Sequence, residues 1–451
     1  MADSPTLQLI AVHGGAGVHP KSADPDVKRA LRLACTSAST VFARSGEAAL
    51  PTVCGAISIL EDDECLNAGY GSNLTSSGTA ECDASVMDGH TGDFGAVGSV
   101  SGVKNPIKLA HEILRYSRKA DPLGRIPPLI LVSSGASEFA KSNGLQCPSE
   151  SLISPRARRE WVHWNSKLDA TRSCAPSGGP SNSTGQLASP LMQVDGLHDR
   201  QDTVGAVAWD ADGHLAAGVS SGGLLLKLPG RIGEAAIYGA GCWATPRTAC
   251  SVSGAGEHIT RMSLAREICE AVEAAGKDEG AHDVLQRILG RDFLRTSIAQ
   301  TCTLASPAVC GWFPSLRVLP PYRRCGVLTG LCSERGERTP QAGVLLLVKE
   351  VQSRDDSDSN SAGTDSDMAS DSEGGNESNN PAACNASCGG SGQPTMIKPR
   401  LWCAFTTESM AVGYTTSLCP KPSAAVLRRP PRAPGSSQGP SVYITALPLD
   451  C

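Results

Sequence analysis

Two hydrophobic periods alternate along this chain, and the change from one to the other outlines its elements. Leu7 to Val12 is a short apolar run, broken only by Gln8, that ends in His13-Gly14-Gly15-Ala16-Gly17. It predicts a buried strand feeding a tight backbone loop. Asp26 to Arg44 carries Val27, Leu31, Leu33 and Ala34 on one side at helical spacing, and Pro51 to Leu60 reads as a second helix before the acidic turn Glu61-Asp62-Asp63-Glu64. Gly69 to Gly98 is rich in Gly, Ser and small apolar residues, which predicts closely packed strands. Asn105–Tyr116 and Ser137–Ser142 read as helices, with Pro127–Ser133 as a buried strand between them. From Cys147 to Gln201 no period survives, and a segment of that length inside a compact domain is usually disordered or functional. Thr203–Trp209 and His214–Ser220 are strand-like runs joined by the turn Asp210-Ala211-Asp212-Gly213. Glu257–Ala275 predicts a strong amphipathic helix and His282–Leu289 a shorter one. Ala342–Val348 and Leu401–Tyr414 read as strands on either side of a Ser/Asp/Gly/Asn tract, 352–393, expected to be solvated and disordered. The order of strands and helices predicts α+β layers rather than a βαβ series.

Composition narrows the class. The 451 residues suffice for one large domain or two to three ordinary ones. A hydrophobic share of 40% with 19% charged residues fits a soluble globular chain. Aromatics are only 4% against 48 glycines, so the core is expected to be aliphatic with many close backbone approaches. The net charge of −5 argues against a broadly basic nucleic-acid surface. Eight acidic residues between Asp355 and Asn380 account for that excess, so charge says little about partners. No secretory leader or spanning segment is read, and the eighteen cysteines are expected to be intracellular thiols. Cys384 and Cys388 lack a second ligand pair, so no zinc site is expected.

Three groups of residues could carry chemistry. Thr203 opens a strand directly after the long unpatterned segment. A threonine there is common for its β propensity alone. Freed by cleavage of Asp202–Thr203, however, it would hold a nucleophilic hydroxyl beside an α-amine of pKa about 7.7–8.0, whereas an amide nitrogen is not basic. The second group is Ser221-Gly222-Gly223 followed by Pro229-Gly230-Arg231-Ile232-Gly233-Glu234. The hairpin would return Ser221 to Thr203, and Arg231 offers a planar fork for a carboxylate or is simply a charge in a turn. The third is Ser253-Gly254-Ala255-Gly256-Glu257, either a helix cap or an oxyanion site at a helix N-terminus.

HGGAG at 13–17, NAGYGSNL at 67–74, CDASVMDG at 82–89, DTVGAVAWD at 202–210, SSGGL at 220–224, PGRIG at 229–233 and SGAGE at 253–257 resemble the type 2 asparaginase family of N-terminal-nucleophile hydrolases. Within it, GVKNPI at 102–107, GRIPP at 124–128, YGAGCW at 238–243 and TTESMAVGY at 406–414 resemble the threonine aspartase (taspase) branch. The resemblance implies a four-layer αββα sandwich, one structural domain, split by self-cleavage into an α subunit, 1–202, and a β subunit, 203–451. The α subunit would end in a disordered loop, 148–201, and the β subunit would carry an insertion at 296–340. It places the nucleophile on Thr203, its hydroxyl partner on Ser221 and the oxyanion side on Ser253 and Gly254. Arg231 would hold a substrate carboxylate, and Gly15, Asn67, Gly222, Gly223 and Glu234 would line the pocket. The branch implies an endopeptidase cutting protein substrates after Asp, among them nuclear transcription regulators. It further implies a nuclear and cytoplasmic location, a dimer of αβ units, and no cofactor, metal, nucleic acid or membrane. An isoaspartyl peptidase or L-asparaginase is the nearest alternative, and an uncut binding protein a more distant one.

The chain departs from the family pattern in four places. Glu234 stands where asparaginases carry an Asp for the substrate's amino group. The family's basic import loop is reduced to Pro155–Arg159 and Arg428–Arg432, and residues 296–340 and the tail after Ser417 match nothing in the family. Gln193-Val194-Asp195-Gly196 fits the branch's cleavage pattern, so a second cut between Asp195 and Gly196 is expected.

Overall fold

The computed structural model describes residues 7–45, 48–173, 203–275, 279–295, 340–352, 396–430 and 442–449. The expectations for 174–202, 296–339 and 353–395, including Asp195, Gly196 and Asp202, lie outside them. The chain divides into two compact units, one of residues 1–348 with 401–451 and one of 349–400. The described part of the second is two strand ends, where Arg400 pairs with Glu350 at 3.1 Å.

The first unit is an αββα sandwich, as expected. Its larger sheet holds eight strands: β1 (Leu9–Gly17), β2 (Cys82–Asp88), β3 (Phe94–Val100), β4 (Ile130–Val132), β5 (Val204–Trp209), β6 (Leu215–Ser221), β11 (Ser409–Thr416) and β12 (Ser423–Arg428). Their order is β12-β11-β1-β5-β6-β2-β3-β4. In this sheet the β3–β4 pairing is parallel and the other described pairings are antiparallel. The smaller sheet runs β13-β10-β9-β8-β7, from β7 (Cys242–Ala244), β8 (Thr248–Gly254), β9 (Ala342–Gln352), β10 (Met396–Phe405) and β13 (Tyr443–Leu447).

Strand alternation builds the layers. In β1, Ile10 and Val12 face the helices α1 (Asp24–Ser45), α2 (Ala49–Glu61) and α3 (Pro106–Ser117), where they join Leu31, Val53 and Ile57 in one apolar core. Leu9 and Ala11 point the other way, into a second core with Val207, Val252 and Leu345. That core continues to the outer helices α7 (Leu264–Ala275) and α8 (Ala281–Arg287) through Ile268 and Leu285. Because β1 is buried on both faces, its apolar run is continuous rather than alternating. No described helix is long and apolar enough to cross a membrane.

Several expectations need correction. The HGGAG segment does not leave the sheet as a loop: β1 runs through it, with a register shift between His13 and Ala16. Pro127–Ser133 is not a buried strand, since β4 is short and half-exposed at the sheet edge. Glu61 is no turn residue but ends α2 fully buried. The expected disordered loop from 148 holds α5 (Pro155–Ser173), tied to the body by Trp161 Nε1 donating to Thr75 O at 2.8 Å. The long helix from Glu257 is two, α6 (Gly256–Met262) and α7, broken where Ser263 adopts the left-handed conformation. In the two basic clusters, Arg156 donates to the carbonyls of Glu64 and Gly71, and Arg428 grips Asp24 at 2.6 and 3.1 Å. Those two arginines therefore serve the fold rather than lying free in a basic peptide. Nine described cysteines are free thiols, but Cys419 is disulfide-bonded.

Candidate active site

The β5–β6 hairpin brings Thr203 and Ser221 together, because its register pairs Val204 with Ser220 and puts their neighbours at the same end. Thr203 Oγ1 lies 3.1 Å from Ser221 Oγ, and both residues are buried. Ser221 Oγ accepts the Gly223 N–H at 3.0 Å, which leaves its own hydrogen free for Thr203. Thr203 Oγ1 in turn donates to Glu234 Oε1 at 3.0 Å. The Thr203 N–H points at Ser253 Oγ, 3.4 Å away, and that oxygen also accepts the Ala16 N–H at 3.0 Å. Thr203 thus touches three of the residues singled out in the sequence.

The others brace the surroundings. Asn67 does not reach Thr203. Its Nδ2 donates to Gly223 O at 2.9 Å, its carbonyl accepts the Gly222 N–H, and its Oδ1 accepts the Asn73 N–H. A Cβ on Gly222 would lie 2.3 Å from Asn67 Oδ1, so only glycine fits this turn. Gly15 sits in the β1 irregularity, next to the Ala16 amide that bonds Ser253. Gly254 follows Ser253 at the end of β8, in register with Ala342, rather than inside the helix that begins at Gly256. Arg231 does not bond Thr203: its Nε and Nη2 donate to the Glu257 carboxylate at 2.9 and 2.8 Å.

Burial sets the electrostatics. Desolvation pushes the Glu234 carboxyl up to about 7, against the Arg231 charge and the Thr203 hydrogen bond, which both favour the ionised form. Asp83 is buried and also raised, first by desolvation; Lys227 opposes the rise, as do the N–H donors of Ser99 and Gly233 at 2.7 and 2.8 Å. Burial holds His13 at about 4, its Nε2 2.8 Å from Ser251 Oγ. The sequence reading missed Asn73, Asp83 and Lys227, which fasten Gly223, Gly233 and the Glu81 carbonyl. A charged residue in the apolar run of β2 was the available signal for Asp83. Among the described residues, Asp210, Asp212 and His214 come close enough to share a cation. They lie at the far end of the hairpin from Thr203, and Asp210 is occupied by the N–H groups of Ala49, Asp212 and His214.

The arrangement puts a hydroxyl nucleophile, a hydroxyl partner, a buried acid and a nearby guanidinium in one place, the components of an acyl-transfer site. Residues 6–292 match the family model described as asparaginase. Over 277 residues the chain is 35% identical to an isoaspartyl peptidase/L-asparaginase of Xenopus laevis, covering 61% of this chain and 79% of that one. It is 34% identical over 274 residues to an isoaspartyl peptidase of Escherichia coli, covering 59% and 78%. With a plant-type L-asparaginase of Pyrobaculum calidifontis it shares 33% over 290 residues, covering 64% and 87%. With the site geometry and a match over more than half its length, the chain belongs to the type 2 asparaginase family of N-terminal-nucleophile hydrolases.

Proposed function

We propose that this chain is a self-activating threonine hydrolase of β-aspartyl amides, an isoaspartyl peptidase/L-asparaginase. In this reading Asp202–Thr203 is cut first. Thr203 then attacks the substrate carbonyl while its freed amine takes the proton, and water hydrolyses the ester. Ser221 orients the hydroxyl, and Ser253 with Gly254 flanks the developing oxyanion. The observation that carries the substrate class is the pair of opposite charges beside the nucleophile. Glu234 touches Thr203 Oγ1 at 3.0 Å, and the Arg231 guanidinium is close enough to stabilise the Glu234 carboxylate. A buried carboxyl beside a largely buried guanidinium suits the ammonium and carboxylate of an amino-acid head group. The relatives' names support the same class.

The second reading is the threonine endopeptidase cutting after Asp, favoured by the taspase-like segments at 102–107, 124–128, 238–243 and 406–414. Such a substrate brings a carboxylate for Arg231 but no ammonium for Glu234. One assay separates the two. Purified, processed enzyme is given a β-aspartyl dipeptide, free asparagine and a peptide containing Gln-Val-Asp-Gly. Turnover of the first two supports the proposal, whereas cleavage of the peptide alone assigns the endopeptidase. On either reading, replacing the carboxylate that meets Arg231 with an amide should slow cleavage about a hundredfold, the loss of a charge-assisted pair.

A further inference from the structure

Self-cleavage raises a chemical problem that the mature enzyme does not have. In the intact chain the Thr203 nitrogen is an amide and cannot take the hydroxyl proton, so another base must. We propose that Glu234 is the general base of the self-cleavage step, accepting the Thr203 hydroxyl proton before any α-amine exists. The inference rests on the reading of Thr203 as a self-freed nucleophile.

Geometry carries it. Oγ1 has two partners among the described hydrogen bonds, Ser221 Oγ at 3.1 Å and Glu234 Oε1 at 3.0 Å. A serine hydroxyl is not basic at neutral pH, and a carboxylate is. Ser253 Oγ lies toward the nitrogen and already accepts the Ala16 N–H. His13, the nearby imidazole, meets the Thr203 backbone rather than Oγ1, bonds Ser251 Oγ through Nε2 and is a weak base at about 4. The charges that face Glu234 are Arg231 and Asp83, which oppose each other; Glu257 on α6 is taken up by Arg231 and Lys227 by the Glu81 carbonyl. Burial outweighs them and leaves Glu234 near 7, close to the value a base needs at neutral pH.

The step balances. Glu234 removes the Oγ1 proton as Oγ1 bonds to the Asp202 carbonyl carbon, whose π pair moves to oxygen. Collapse breaks the C–N bond, and Glu234 returns the proton to the leaving nitrogen, which becomes the Thr203 amine. Water then hydrolyses the Asp202 ester on Oγ1, leaving a carboxylate and a free hydroxyl, and the proton released goes to the new Thr203 amine. Glu234 ends ionised and available to a substrate ammonium.

The test follows the single chain after pulsed cell-free synthesis, by intact mass, between pH 5.5 and 8.5. Wild type should cut with a concentration-independent rate that rises about tenfold per pH unit below about 7 and then levels. Glu234→Gln should cut at least about a hundredfold more slowly and without that pH dependence, and Glu234→Asp should cut at an intermediate rate with the pH shape retained. A folded Glu234→Gln, judged by its thermal melt, that cuts at the wild-type rate overturns the proposal. So does a wild-type rate that is flat across the range, a result that decides the matter even if the variant fails to fold. A wild type that never cuts removes the proposed function itself.

Discussion

Arg231 and Glu257 form a two-pronged pair at 2.9 and 2.8 Å, although the Arg side chain is only 15% exposed and the Glu 52%. Glu257 takes the Nε/Nη2 edge of the guanidinium. Nη1 is turned toward Gly223 and Gly233, where a Cβ on either would lie 2.9 Å away. An exposed acid thus fixes how a nearly buried cation presents its second edge. Glu257→Gln should raise KM for a β-aspartyl substrate about tenfold and leave kcat within about twofold, as expected for a lost charge-assisted hydrogen bond. Steady-state kinetics reads this directly. A lower KM would mean that Glu257 competes with substrate instead of positioning its partner.

Two glycines should respond in opposite directions. Gly205 lies where β5 passes under β8, and a Cβ there would be 2.0 Å from Ser251 Oγ and 2.4 Å from His13 Nε2. Gly205→Ala should cost about 1–3 kcal/mol, because buried groups must shift. Gly55 in α2 has nothing within 4 Å of its missing Cβ, so Gly55→Ala should stabilise by about 0.8–1 kcal/mol through helix propensity. Urea midpoints of the two variants settle both signs.

Glu61 makes stability depend on pH. Burial pushes its carboxyl from 4.5 to about 8, against hydrogen bonds from Ser220 Oγ and the Ile107 N–H, and Oε2 has no partner. Between those pH values the folded chain keeps a proton that the unfolded chain releases. Its contribution is therefore full below about 4.5 and is lost as pH rises through about 8. Glu61→Gln removes this dependence, so the variant should gain on wild type steadily from pH 5 to pH 8. Denaturant unfolding at several pH values, with Thr203→Ala in both chains to keep them single, measures the gap. A gap that does not change with pH contradicts the assignment.

Much of the site was legible because it sits on consecutive, strongly patterned elements. The hairpin turn at Asp210–Gly213 fixes the register that returns Ser221 to Thr203, and a turn is readable from its own residues. The contacts of Glu234 and Arg231 were not legible. A threonine hydroxyl bonded to one and a glutamate from α6 bonded to the other depend on how separate elements stack, which no local period encodes. β7 and β8 were missed because Cys242–Ala244 is three residues long and Thr248–Gly254 mixes Ser and Gly into a strand buried on both faces. α5 was missed for another reason. Its anchors, Arg156 and Trp161, hold a mostly polar helix through donors to distant carbonyls, and its apolar side is small, with Ala157 and Trp161 packed on the cluster of Leu74 and Leu152.

The central claim is that Thr203 becomes a free N-terminus by the chain's own chemistry. Intact mass and N-terminal sequencing of purified protein test it most directly. Wild type should give two fragments, one beginning at Thr203, while Thr203→Ala remains a single chain of 451 residues. A wild type that stays whole, or a Thr203→Ala chain cut at the same bond, would contradict the account.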